Sequence, residues 1–347
     1  MSERGDVAIV GGGPAGLSAG ARAAGLGLAH VVLERSQAVA DTIQKYQRGK
    51  FVMATPDALP LRSDLAFAAG SRESILGAWE RQTAEQRVNL RLGAEVVGVT
   101  GARPSFTVTL TDGSRYEAGA VVLAFGVQGN LRKLDVAGAE LPFVQYQLDD
   151  PEAYSDETII VVGAGDAAIE NALALAARNR VVLVNRRGEF ARAKTGNLTA
   201  VTAAIEGGRI ECAYNSAPER IEPGKIMLKS KDGSVEYPCD RVIARLGADP
   251  PRRLLEACGI VFPKGSRSDF PDVSETYETA VPGIYAVGAI AGYPLIKQCM
   301  NQGYEVIQTI AGQPVEPAGE ELLRDKFAGL PGPPSVSEAL ALERANV

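Results

Sequence analysis

The chain has 347 residues, 46% of them hydrophobic and 22% charged, which suits two packed domains rather than a disordered or fibrous chain. Its net charge is −6 with no long basic run, which argues against a nucleic-acid partner. No signal peptide is expected ahead of the first strand, and no apolar stretch reaches the ~18 residues a membrane helix needs. A cytoplasmic protein without a membrane span is therefore expected.

In chain order, the first predicted strand is "DVAIV", residues 6–10. "GGGPAG" (11–16) is a glycine turn, "LSAGARAAGLG" continues at helical period, and "AHVVLERS" (29–36) is the next strand. Together they make a βαβ unit of the usual ~30 residues. "QKYQRGK" (44–50) places Lys45, Arg48 and Lys50 in a loop: either a solvated surface or a docking site for an acidic acceptor protein. "FVMATPDALPLRS" (51–63) is a Pro-rich apolar segment, expected to cover a ligand or a dimer contact. "SFTVTLTDGSRYEAGAVVLAFG" alternates, turns at Asp112-Gly113 and ends in an apolar strand and Gly126.

The same syntax then repeats. "LPFVQYQLDDPEAY" (141–154) reads as a crossing, and "TIIVVGAGDAAIENALALAARNRVVLVNRR" (158–187) as a second βαβ unit. "KIMLKSKDGSVEYPCDRVIARLG" gives a second hairpin, turning at Asp232-Gly233, and ends at Gly247. "LGADPP" (246–251) is the crossing back. "GIYAVGAIAG" follows both copies and needs a partner strand, which the first domain supplies. The predicted fold is α/β, with two Rossmann-like dinucleotide-binding domains, one inserted in the other. Residues 1–140 and 248–318 form the first, 141–247 the second, and 319–347 a C-terminal arm or linker.

Each glycine motif has a physical reading. Gly11 permits a tight turn, Gly13 lets a pyrophosphate approach the backbone, and Gly16 lets helix and strand pack closely. Glu34 ends the following strand, 18 residues past Gly16, where a carboxylate accepts from ribose hydroxyls. The second motif is Gly163, Gly165 and Ala168. Its next strand ends at Asn185, followed by Arg186 and Arg187, with Arg192 and Lys194 close behind. Guanidinium groups bind a 2′-phosphate that an acid would repel, so NADP is expected here over NAD. FAD in the first domain and NADPH in the second is the simplest assignment.

At this point the chain resembles the two-dinucleotide-binding-domain flavoproteins, and within them the thioredoxin-reductase-like branch, over roughly residues 5–315. "GGGPAG" with "LER" looks like the FAD fingerprint of that group. "VVGAGDAAIENAL" and "NRRGEFARAK" resemble its NADPH segments, with Asn185 for the usual histidine. "VVLAFG" resembles its third glycine signature, with Phe125 where threonine is usual, and "GIYAVGAIAG" its closing FAD signature. The resemblance implies FAD contacts at Gly11, Gly13, Pro14, Ala15, Gly16, Glu34, Arg35, Val96, Gly126, Gly288, Ala289, Lys297 and Gln298. It implies NADPH contacts at Gly163, Gly165, Asp166, Ala167, Ala168, Arg186, Arg187, Arg192 and Gly247. It also implies a homodimer.

The pattern departs from that branch in two places. Ala289 stands where the family has an aspartate that anchors the FAD ribitol. The redox cysteine pair is absent: no CxxC occurs, and no cysteine precedes Cys212. With His30 as the single histidine, Cys212, Cys239, Cys258 and Cys299 form no zinc-type cluster either. Branch members without the pair include ferredoxin/flavodoxin–NADP reductases and bacillithiol-disulfide-reductase-like proteins. The expected activity is NADPH-dependent FAD oxidoreduction that delivers electrons directly to an acceptor, a ferredoxin or flavodoxin, a small disulfide or a quinone-like molecule. The alternatives are a low-molecular-weight disulfide reductase using Cys299 alone, and a non-catalytic redox-sensing module that binds flavin and NADPH.

Overall fold

The computed structural model describes residues 3–191, 193–262, 269–313 and 315. Arg192 and the arm expected over 319–347 lie outside them. The chain divides into two units. The first comprises the described residues up to Gln44, from Gly49 to Gly129, and from Asp249 onward; the second comprises Lys45–Arg48 and Asn130–Ala248.

Valine and isoleucine runs with no polar face make central strands buried on both sides. In the first unit Glu3–Val10 lies between His30–Leu33 and Arg115–Leu123, parallel to both. The latter strand shares its other edge. Its first half pairs antiparallel with Ser105–Leu110, and its second half pairs parallel with Ile284–Ala286. Leu33, Val10, Leu123 and Ala286 are therefore level, at the carboxyl end of four parallel strands. Ligands of open α/β sheets bind at that end. Helix Pro14–Gly25 packs on one face against helix Ile296–Ile310, where a methyl on Gly303 would meet the Ala15 carbonyl at 2.1 Å.

The second unit has a five-stranded parallel sheet. Its order is Ile210–Tyr214, Arg180–Asn185, Thr158–Val162, Arg241–Ala244 and Val144–Gln145. An antiparallel sheet of Ala217–Glu222, Gly224–Ser230 and Gly233–Cys239 packs beside it. The chain enters this unit at Asn130, before the crossing expected over 141–154. Residues 130–140 belong to it because Ala137 bridges Arg220, and the Leu134 amide donates to the Tyr146 hydroxyl. Lys45–Arg48 belongs to it as well, through Arg48 N donating to Asp149 O and Asn171 Nδ2 to Gln47 Oε1. Neither assignment has a local sequence signal.

Candidate functional site

In the first unit the chain leaves the strand at Val10 through Gly11, whose φ is +108°. A methyl there would strike Phe125 Cα at 2.6 Å, and one on Gly16 would sit 1.8 Å from the Gly11 carbonyl oxygen. Both glycines are thus required by the protein's own backbone. Gly13 is different, because a methyl there would meet only Ala124 O, at 3.9 Å. Its bareness serves nothing inside the chain and leaves a cradle open to a ligand. Gly13 also begins helix Pro14–Gly25, which has no side-chain cap and no acid in its first turn. Its free N–H groups and positive pole suit a pyrophosphate.

Glu34 is buried at the end of the second strand. Its carboxylate accepts from the Gly12 amide at 2.6 Å and the Ser36 amide at 2.8 Å. It therefore braces the glycine turn, and a carboxylate with about four acceptor sites still has capacity for a hydroxyl. Arg35 is exposed, and its guanidinium lies against the backbone of Gly129. Val96 packs in the hydrophobic core, so only its main chain is offered to a ligand.

The closing segment comes to the same place. After Ile284–Ala286 the chain turns at Gly288, with φ +74°, beside Ala15 and Cys299. The Gly288 amide donates to buried Gln302 Oε1 at 2.7 Å, which fixes the turn to the last helix. Ala289 stays half-buried while Gly288 and Ile290 are buried. Helix Ile296–Ile310 starts without a side-chain cap, and Lys297 and Gln298 lie in its first turn. Gly126 follows the Arg115–Leu123 strand with φ +62° and open space around it. These residues fit a flavin dinucleotide laid along the carboxyl ends of the strands.

Residues 51–63, expected to cover a ligand or a dimer contact, take a role from their polar bonds. Lys297 Nζ donates to Pro56 O, Asn301 Nδ2 to Pro60 O, and the Arg62 amide to Asn301 Oδ1. Arg62 also reaches buried Glu305 at 3.7 Å, and Ser63 bonds Ser18. Positions 297, 301 and 305 recur at four-residue spacing, so they form one polar stripe on the helix. The Pro-rich segment is a strap clipped along that stripe. Tyr277 completes the network, donating to Glu305 Oε2 at 2.6 Å. Tyr277→Phe is expected to cost about 1.5–3 kcal/mol in denaturant unfolding, because a buried charged hydrogen bond is lost.

Cys299 is a packing residue. It is buried, its thiol donates to Tyr293 O at 3.1 Å, and burial pushes it up to about 12. A reactive cysteine needs the opposite shift. Burial likewise raises Cys212 and Cys258 to about 11 and Cys239 to about 12. Cys299→Ala is expected to retain NADPH oxidation, and the native Cys299 to resist iodoacetamide at neutral pH, as peptide mapping would report.

The second unit repeats the plan with differences. Gly163 has φ +138°, and a methyl there would meet Arg245 O at 2.4 Å, so the turn is again fixed by the neighbouring strand. Gly165 has open space around it and begins helix Asp166–Leu175 without a side-chain cap. Asp166 faces its own chain instead: Oδ1 accepts from the Lys194 amide and from Asn197 Nδ2. Ala167 is half-buried and Ala168 buried. Gly247 has φ +83° and an open surround.

Asn185, the replacement for histidine, is buried. It donates to Glu189 O and accepts from the Arg187 amide, both at 2.9 Å. That shapes the turn carrying Arg186 and Arg187. Both are exposed, and neither has an ion pair among the described residues. Two uncommitted guanidinium groups past the strand end fit a phosphate monoester.

A family profile described as pyridine nucleotide-disulphide oxidoreductase matches residues 8–288. A ferredoxin–NADP reductase of Ignicoccus hospitalis is 26% identical over 308 residues, covering 86% of this chain and 94% of the relative. Bacilliredoxin reductase Bdr of Bacillus subtilis is 26% identical over 290 residues, covering 82% of this chain and 89% of the relative. Among solved structures, bacillithiol disulfide reductase Bdr of Staphylococcus aureus superposes with a TM-score of 0.82 at 24% identity. It covers 90% of this chain and 99% of its own.

Proposed function

The chain belongs to the pyridine nucleotide-disulphide oxidoreductase family, and we propose that it passes electrons from NADPH through FAD directly to an acceptor, without a protein dithiol. It is an NADPH-dependent flavin oxidoreductase whose cofactors are FAD and NADPH. The observation that carries the finer reading is the state of the four thiols. All are free, and burial raises every one of them far from the thiolate form a relay needs.

The bound cofactors supply the hydride and electron chemistry, and the protein supplies position and electrostatics. The open turn at Gly13, braced by Glu34, and the uncapped helix behind it receive the flavin pyrophosphate. The Gly288 turn, held by Gln302, and the helix start at Lys297 and Gln298 bound the same dinucleotide. Gly165, the helix it opens, Arg186 and Arg187 hold the NADPH phosphates. No side chain has to give or take a proton for hydride transfer, so none is assigned as an acid or base.

The relatives named ferredoxin–NADP reductase favour a protein acceptor. The likeness to bacilliredoxin reductase favours a second reading, in which a low-molecular-weight disulfide is the acceptor. The reading also includes a homodimer in the cytoplasm. Among the described residues no helix is long and apolar enough to cross a membrane. The test is anaerobic titration of the purified yellow protein with NADPH. Rapid bleaching, followed by re-oxidation on adding a ferredoxin or flavodoxin, supports the main reading. Re-oxidation by a small disulfide alone supports the second. A colourless protein that takes up no FAD sinks both.

A further inference from the structure

Lys45–Arg48 has no regular structure, and it is held on the second unit by side-chain and backbone bonds. Gln47 Oε1 accepts from Asn171 Nδ2 at 3.0 Å, and the Arg48 amide donates to Asp149 O at 3.0 Å. Tyr46 lies near Arg245. Beside this segment, two buried side-chain atoms have no hydrogen-bond partner among the described residues, Asn171 Oδ1 and Arg245 Nε. Asn171 Nδ2 is bonded only on the segment's side, and Arg245 uses Nη1 on Tyr146 O at 2.7 Å. Burial lowers the Arg245 pKa, as expected of a cation held from water.

Both residues belong to the elements that flank the second glycine turn. Arg245 is the residue whose carbonyl abuts Gly163, and Asn171 is on the helix that Gly165 opens. Orphaned buried donors and acceptors carry their full desolvation cost. Uncovering returns both atoms to water, which offsets part of the cost of breaking the bonds that hold the segment.

We propose that Lys45–Arg48 is a displaceable strap, which covers Asn171 and Arg245 in the free protein and lifts when a nicotinamide dinucleotide binds at the Gly163 turn. The proposal rests on the reading of that turn as the NADPH site. A ligand shifts such an equilibrium only by its differential affinity for the two states. The dinucleotide supplies that difference by occupying ground next to the turn that the strap holds. Gly49 follows the strap with φ +72° and nothing within 4 Å, so the chain can swing there without a clash.

The experiment uses the full FAD-loaded chain. Calorimetry with NADP+ first establishes binding, and hydrogen exchange is then followed over residues 45–50 with and without saturating NADP+. The Arg48 amide, now tied to Asp149, is expected to exchange several-fold faster with NADP+ bound. Binding with unchanged or slower exchange overturns the strap alone. Absence of NADP+ binding overturns the reading of the Gly163 turn and the strap with it. Gln47→Ala, which weakens the covered state, is expected to bind NADP+ roughly two- to tenfold more tightly. Unchanged or weaker binding by this variant overturns the proposal, because a purely structural Gln47 gives one of those results.

Discussion

Gly16→Ala is expected to yield a protein without flavin and with a first unit destabilised by about 3 kcal/mol or more. The added methyl would lie 1.8 Å from the Gly11 carbonyl oxygen, far inside van der Waals contact. Relief requires moving Gly11, and Gly11 is itself wedged against the backbone of Ala124 and Phe125. The turn, the helix start and the strand end thus move together or not at all. Gly13→Ala is the control. Its methyl meets nothing closer than 3.9 Å in the chain, so stability should change by no more than about 0.5 kcal/mol. Flavin affinity should nevertheless fall, because the methyl enters the space left for a pyrophosphate. Thermal unfolding and the visible absorbance of the two purified variants separate these effects. A Gly13→Ala protein that binds FAD as well as the parent would refute the placement of the pyrophosphate.

Replacing Arg186 and Arg187 together by alanine is expected to lower kcat/KM for NADPH by about a hundredfold or more. Hydrogen bonds to charged groups contribute ~1.5–3 kcal/mol each, and a phosphate takes them bidentately from arginine. kcat/KM for NADH should change little, since the 2′-phosphate is the group these residues are read to hold. Neither guanidinium has an ion pair to leave unbalanced among the described residues, so unfolding should be unaffected. Steady-state rates with both nucleotides decide the matter. Equal losses for NADPH and NADH would assign the arginines to something other than the 2′-phosphate.

The two glycine turns and both hairpins were legible because backbone geometry dictates their residues. Gly11, Gly16 and Gly163 are positions where no other side chain fits, and the Asp-Gly pairs mark the hairpins, although Gly233 already pairs with Ser230 and leaves Lys231-Asp232 as the second loop. The return of "GIYAVGAIAG" to the first sheet was legible too, because an apolar strand following both copies needs a partner, and Ile284–Ala286 pairs with Arg115–Leu123. What escaped was long-range polar pairing. Gln302 holds Gly288, and Asn301 clips Pro60 and Arg62. An amide side chain looks the same in sequence whether it faces water or completes a turn far along the chain. The i, i+4 series of Lys297, Asn301 and Glu305 was the available signal, since polar residues at that spacing are odd on a helix otherwise buried. Asn185 escaped for a related reason: as a strand end without an acid and a replacement for histidine it carries no sign that its side chain builds the arginine turn.

The shared edge of the Arg115–Leu123 strand also orders events during synthesis. Its partner Ile284–Ala286, and the helix that covers Pro14–Gly25, emerge only about 160 residues later, on the order of ten seconds at ordinary ribosomal speeds. The inserted unit closes its own sheet in that interval. The N-terminal half waits beside it with one apolar helix face and half a strand edge bare, a nascent chain that invites chaperone attention until the last helix arrives.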